Sequence, residues 1–190
     1  MELQSDIHQC AEELTKRCNL SHLVKHVQGD ILDYDLNKLG EGQKSFDGVV
    51  SFLVFLHIPD KVSLLSNCAT MLKAGGTLFV EDYYRRSSFT EKELESLSTD
   101  VYCQDLPTQE EYIAALESAG FDNIQFIDKT KEWTSFVTDR LAKFEGNRET
   151  FVSSHGEATY DSLHYFYKAV VSLFAGGNLG GVRIIASKKI

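Results

Sequence analysis

Long apolar runs are absent from this sequence. Nowhere do about 18 hydrophobic residues follow one another, so no membrane-spanning helix is expected. Positive charge is scarce as well: 19 Lys and Arg stand against 28 Asp and Glu, a net charge of −9. That balance argues against nucleic acid or an anionic membrane surface as the main partner, and leaves small neutral or cationic molecules open. Cys10, Cys18, Cys68 and Cys103 form no CxxC pair, and the six histidines form no HExxH. Cys10 and Cys18 share one predicted helix and cannot bridge along it. Four reduced thiols in a cytoplasmic protein, with no metal, is the reading.

With two prolines and no repeat or low-complexity stretch, the 190 residues suit one ordered domain. The start, MELQSDIHQCAEELTKR, is amphipathic and acidic, unlike a secretory signal or a transit peptide. The most telling absence is local. No glycine-rich strand-to-helix turn precedes the first long buried strand.

What is present centres on residues 46–84, FDGVVSFLVFLHIPDKVSLLSNCATMLKAGGTLFVEDYY. Two near-continuous apolar runs flank a helical pattern, which predicts parallel strands buried on both faces. Asp60 is placed to cap the helix, and Ala74-Gly75-Gly76 to end it and turn into the second strand. Upstream, residues 5–18 predict a helix with Ser5 as its cap, and residues 23–28 a short strand ending in Gly29-Asp30. Residues 33–44 read as a polar loop with a helical turn. Downstream come a short acidic helix near residues 91–97, a helix over 109–118 capped by Thr108, and a strand over 123–128. Helices are predicted over 130–144, 148–153 and 160–174, then a last strand over 182–187. Such alternation is an α/β pattern. The GGNLGG stretch before the last strand has no lysine with serine or threonine after it, so it reads as a tight turn, not a phosphate loop.

Ligands in open α/β sheets sit beyond the carboxyl ends of the strands, where this chain places residues 51–57 and 81–84. Imidazole intrinsically ionises near neutral pH, so His57 suits a general base, or caps the strand end beside Pro59. Tyr83, Tyr84 and Tyr102 offer faces to an ammonium or sulfonium group, or pack as ordinary aromatics. Trp133, Phe136 and Tyr167, at helical spacing, read as core.

In order along the chain, Gly29-Asp30, FDGVVSFLVFLHI, LKAGGTLFVEDYY and EEYIAALESAGFDNIQFID resemble the class I S-adenosylmethionine-dependent methyltransferases. Within that family the chain is similar to the methyltransferase type 11 group and the phosphoethanolamine methyltransferases. The resemblance implies a Rossmann-like α/β fold, N-terminally truncated, with partial core over 1–128, the last strand over 182–190 and a helical cap over 129–181. It implies S-adenosylmethionine as cofactor and a small-molecule methyl acceptor, with nitrogen favoured as the accepting atom.

Residue by residue, the resemblance implies that Glu2 holds the cofactor ribose hydroxyls, unless it is a plain terminal glutamate. Asp30 contacts the adenine amino group, or serves as a turn aspartate, and Ile31 packs on the ring. Ser51 and Phe52 pass the sulfonium end. His57 and Tyr83 are the catalytic candidates; Tyr84 and Tyr102 are the substrate-binding ones. Two positions depart from the phosphoethanolamine group. Leu53 stands where an aspartate is found, and Asp100 near where an arginine grips the substrate phosphate, which argues against phosphoethanolamine as the acceptor.

Met1 aligns with the end of the family's second strand. The expectation is a truncated form with impaired cofactor binding; the alternative is a catalytically inactive, methyltransferase-like binding or regulatory protein. A homodimer or partner chain completing the sheet is the third reading.

Overall fold

The computed structural model describes residues 1–39 and 46–190. The apolar strands form one four-stranded sheet of β1 (Phe46–Phe52), β2 (Leu72–Arg85), β3 (Phe121–Asp128) and β4 (Leu179–Lys188). Their order is β1-β2-β4-β3, with β1 parallel to β2 and β4 antiparallel to both β2 and β3. A parallel pair needs a crossover, here the helix between β1 and β2. In chain order the helices are α1 (Ser5–Arg17), α2 (Lys61–Met71), α3 (Glu91–Thr99), α4 (Gln109–Ser118), α5 (Thr130–Gly146), α6 (Arg148–His155) and α7 (Glu157–Gly176).

Strand alternation divides the core between the two faces of the sheet. On one face Leu64 and Leu65 of α2, with Tyr112 and Leu116 of α4, pack on Leu78, Val80 and Ile184. On the other, Leu97 of α3 and Leu173 and Phe174 of α7 close over Tyr83. Local chemistry sets the helix starts. Asp60 accepts from Ser63 N at 2.9 Å, and Thr90 with Glu93 and Thr108 with Glu111 form reciprocal capping boxes. At its end, α7 closes on Gly177 with φ 82, a left-handed cap that costs glycine little.

Four expectations change. The first long strand was expected to be buried on both faces, yet Val50 and Phe52 of β1 are 61% and 60% exposed. Among the described residues β1 pairs only with β2, so it is the edge of the sheet and its Val50–Phe52 side is open. Residues 23–28 yield a single parallel bridge, Gln28 with Glu2, in place of a strand. The turn at residues 74–76 is absorbed into β2, with Gly75 at φ 74 and a register shift opposite Phe46 and Gly48. Helix α1 starts at Ser5 as its first residue, and the Glu2 carboxylate, not Ser5, accepts from Gln4 N at 2.8 Å. Residues 36–38 supply the helical turn expected in the polar loop; residues 40–45 of that loop lie outside the described residues.

Candidate active site

Two parallel strands that end together leave their last side chains over a common space. Phe52 and Leu53 after β1, and Glu81 and Tyr83 on β2, form the floor of a cavity of about 450 Å³. Its walls come from α5 and α7: Trp133, Phe136, Val137 and Arg140 on the first, Phe166, Tyr167 and Val170 on the second. Glu81 and Tyr83 share this floor because they lie two apart on β2. Tyr84 therefore points the other way. It is buried among the residues facing α2 and α4, its ring 5.0 Å from that of Phe126, which separates it from Tyr83.

Aromatic packing holds the floor. The Tyr83 ring lies 6.0 Å from Trp133 and 5.4 Å from Phe174, both edge-on. Trp133 can approach because residue 181 is glycine: a Cβ there would stand 2.4 Å from the indole. Leu53 has φ 52, a left-handed conformation that disfavours a branched side chain, with its N–H donated to Glu81 O at 2.8 Å. Backbone held this way costs on the order of 1 kcal/mol or more, and such residues cluster at functional sites.

Below the floor lies a buried carboxylate. Asp82 is 1% exposed and accepts from Leu56 N at 2.9 Å and Tyr83 N at 2.7 Å. It thereby ties the turn of residues 55–57 to β2. Burial pushes its pKa up to about 7, while those amides and the Lys61 ammonium pull the other way. Burial also drives the Tyr83 hydroxyl up to about 12, with the Asp82 charge adding to it and Arg140 opposing it. Tyr83 thus stays protonated at neutral pH.

His57 stands on the turn after β1, exposed, and does not line the cavity. Its Nδ1 lies 3.2 Å from the Tyr102 carbonyl oxygen. A carbonyl only accepts, so the neutral ring keeps its proton on Nδ1 and presents the Nε2 lone pair outward. Tyr102 is 75% exposed with φ 56, and touches His57 through its backbone. The structure therefore brings His57 to Tyr102 and Phe52 to Tyr83, as two neighbouring groups rather than one cleft.

On the far side of the chain the Glu2–Gln28 bridge sets Glu2 beside the strand end that leads to Asp30. Glu2 N donates to Val27 O and Gly29 N to Glu2 O, each at 2.9 Å. Asp30 Oδ1 accepts from Leu32 N at 2.9 Å, the turn role that stood as its alternative to an adenine contact, and Ile31 packs against the core beside α2. Two carboxylates and an apolar side chain at one end of a parallel pair fit a diol, an exocyclic amine and a flat ring. Ser51 is buried on the opposite side of β1 from Phe52, and its hydroxyl has no hydrogen-bond partner among the described residues.

Sequence reasoning placed Glu81 among the strand-end residues without giving it a role, and missed Arg140 and the cavity role of Trp133, Phe136 and Tyr167. The signal for Glu81 was present: the first of two adjacent acids inside an apolar strand, two residues before Tyr83. Nothing in the spacing of the three aromatics tells a cavity wall from a core, since both need one apolar helix face.

Comparison with known proteins bears on what this arrangement serves. A family model described as a methyltransferase domain matches residues 2–80. Phosphoethanolamine N-methyltransferase 1 of Zea mays is 30% identical over 145 residues, which is 75% of this chain and 28% of that protein. The chain spans about a quarter to a third of the length of the curated phosphoethanolamine N-methyltransferases first matched. Among solved structures, a Galdieria sulphuraria protein provisionally assigned as a sarcosine dimethylglycine methyltransferase superposes with TM-score 0.83 at 15% identity, over 99% of this chain and 68% of that one. Haemonchus contortus phosphoethanolamine N-methyltransferase 2, solved with phosphomonomethylethanolamine and S-adenosylhomocysteine, gives TM-score 0.72 at 23% identity, over 84% of this chain and 36% of that one.

Proposed function

Since the chain belongs to the class I S-adenosylmethionine-dependent methyltransferases and carries their Rossmann-like fold, we propose that it serves methyl transfer to a small molecule, with nitrogen as the accepting atom. The observation that carries this is the cavity over the ends of β1 and β2, walled by the aromatics of α5 and α7. Helices over residues 129–181 act as a cap on a core formed by 1–128 and the last strand. S-adenosylmethionine, when bound, supplies the electrophilic methyl group.

The chain's own residues divide the remaining work. Glu2 and Asp30 hold hydroxyl and amino groups of the cofactor, Ile31 packs on its ring, and the backbone at Ser51 and Phe52 passes its reactive end. Tyr83, kept protonated, orients the acceptor by donating a hydrogen bond. Positioning the acceptor in attack geometry accounts for most of the rate. His57 stands beside the cavity rather than in it, so its free Nε2 lone pair takes up the proton that the acceptor loses through intervening solvent. Tyr102 fixes the tautomer of His57 through its carbonyl, with its ring exposed outside the cavity, while Tyr84 supports Tyr83 from the opposite face.

Donor binding by this chain is expected to be weak. No glycine-rich turn lies among the 190 residues to let backbone approach the methionine end of the donor, and β1 has an open edge. A further chain laid along that edge, a second copy included, would complete the sheet. The reading is tested with methyl-labelled S-adenosylmethionine and a small-molecule extract. Label should appear in a low-mass product, and His57→Ala should lower its rate by roughly 10²- to 10⁴-fold. Label transfer at an unchanged rate in the variant would remove the base role. No transfer at all would favour a binding or regulatory protein.

A further inference from the structure

The charges around the cavity do not balance, and the residue left over is Arg140. Of the cavity's two acids, Glu81 is paired with Arg183, whose Nε lies 2.7 Å from it. Glu132 is paired with Lys129 at 2.7 Å. Arg140 has no carboxylate within ion-pair distance among the described residues. Its guanidinium instead donates to the Tyr167 hydroxyl at 2.8 Å and lies 4.5 Å from the centre of that ring. A guanidinium held by an aromatic at the mouth of an apolar cavity keeps its remaining donors free, in a fork that matches a carboxylate or phosphate.

We propose that this cavity takes an apolar or aromatic acceptor that carries one anionic group, seated with its hydrophobic body among Trp133, Phe136 and Phe166 and its anion on Arg140. The inference rests on the reading of this cavity as the acceptor site. The rings alone would also attract an ammonium ion, but Arg140 already lies over the Tyr167 ring. A second cation there meets like charge, so the same residues that favour an anion disfavour a purely cationic acceptor. At about 450 Å³ the cavity is in the range of small-molecule sites, with room for a ring and a short chain.

Trp133 is the single tryptophan and lines the cavity, so its fluorescence reports occupancy without a methyl donor. Three probes of one shape differ in charge: 3-phenylpropionate, 3-phenyl-1-propanol and 3-phenylpropylammonium. The propionate should bind about three- to tenfold more tightly than the alcohol, since Arg140 is exposed and partly screened, and the ammonium most weakly. Arg140→Gln should bring propionate and alcohol together, and Arg140→Lys should keep part of the preference. Equal binding of the three, a preference that survives in Arg140→Gln, or fluorescence unmoved by all of them would overturn the proposal. Because no donor is present, loss of donor binding would leave this result standing, and failure here would leave donor binding untouched.

Discussion

Asp82 makes the clearest demand on a single residue. A carboxyl group 1% exposed, with two backbone amides aimed at it, is asked to be charged by its partners and neutral by its burial. Burial wins, and its pKa rises to about 7 from a usual 3.8. The sign of the linkage follows. Between pH 4 and 7 the folded chain holds a proton that the unfolded chain has released, so stability is fullest below pH 4 and falls as pH rises through 7. Over the whole interval the loss is on the order of 4 kcal/mol. Urea midpoints from pH 5 to 8 should fall steeply for the native chain and less for Asp82→Asn. Parallel slopes for the two would show that Asp82 titrates normally. Tyr83, its neighbour, is affected by the same burial and so keeps its proton at neutral pH.

Elements differ in how openly the sequence announces them. Helix α4 begins after Thr108 and ends at Ser118, as its cap and following glycine predict, because Thr108 and Glu111 satisfy each other's backbone within one turn. The strand expected over residues 23–28 fails for the opposite reason: a strand needs a partner along its length, and only Glu2 pairs with it. Tyr84 shows a subtler limit. Its place beside Tyr83 was legible, but the alternation that sends one ring to the cavity and the other to Phe126 depends on which face of β2 the cap covers. The edge of β1 carries the prediction at this scale. Its open side bears Val50, and α1 presents Ile7 and Leu14 with no residue buried. Sedimentation velocity should show a coefficient that rises with concentration, reduced in Val50→Lys by a charge on the open strand. A concentration-independent monomer would contradict pairing between copies.

At the scale of the molecule, the fold was legible because a strand, a helix and a second strand with polar ends have few other arrangements, and the order of four motifs added to that. The site was half legible. Of residues 51–57 and 81–84, Phe52, Leu53, Glu81 and Tyr83 line one cavity, yet its walls come from α5 and α7, more than 40 residues away in sequence, where no local pattern marks a ligand. Two regions thus share the proposed work: the Glu2–Asp30 end for the donor, and the Phe52–Tyr83 floor with its aromatic cap for the acceptor. Isothermal titration of this chain with S-adenosylhomocysteine tests that division most directly. Saturable heat with a dissociation constant on the order of 1 mM, lost in Asp30→Ala, is the expected result. No heat at millimolar ligand, or equal binding by Asp30→Ala, would contradict it.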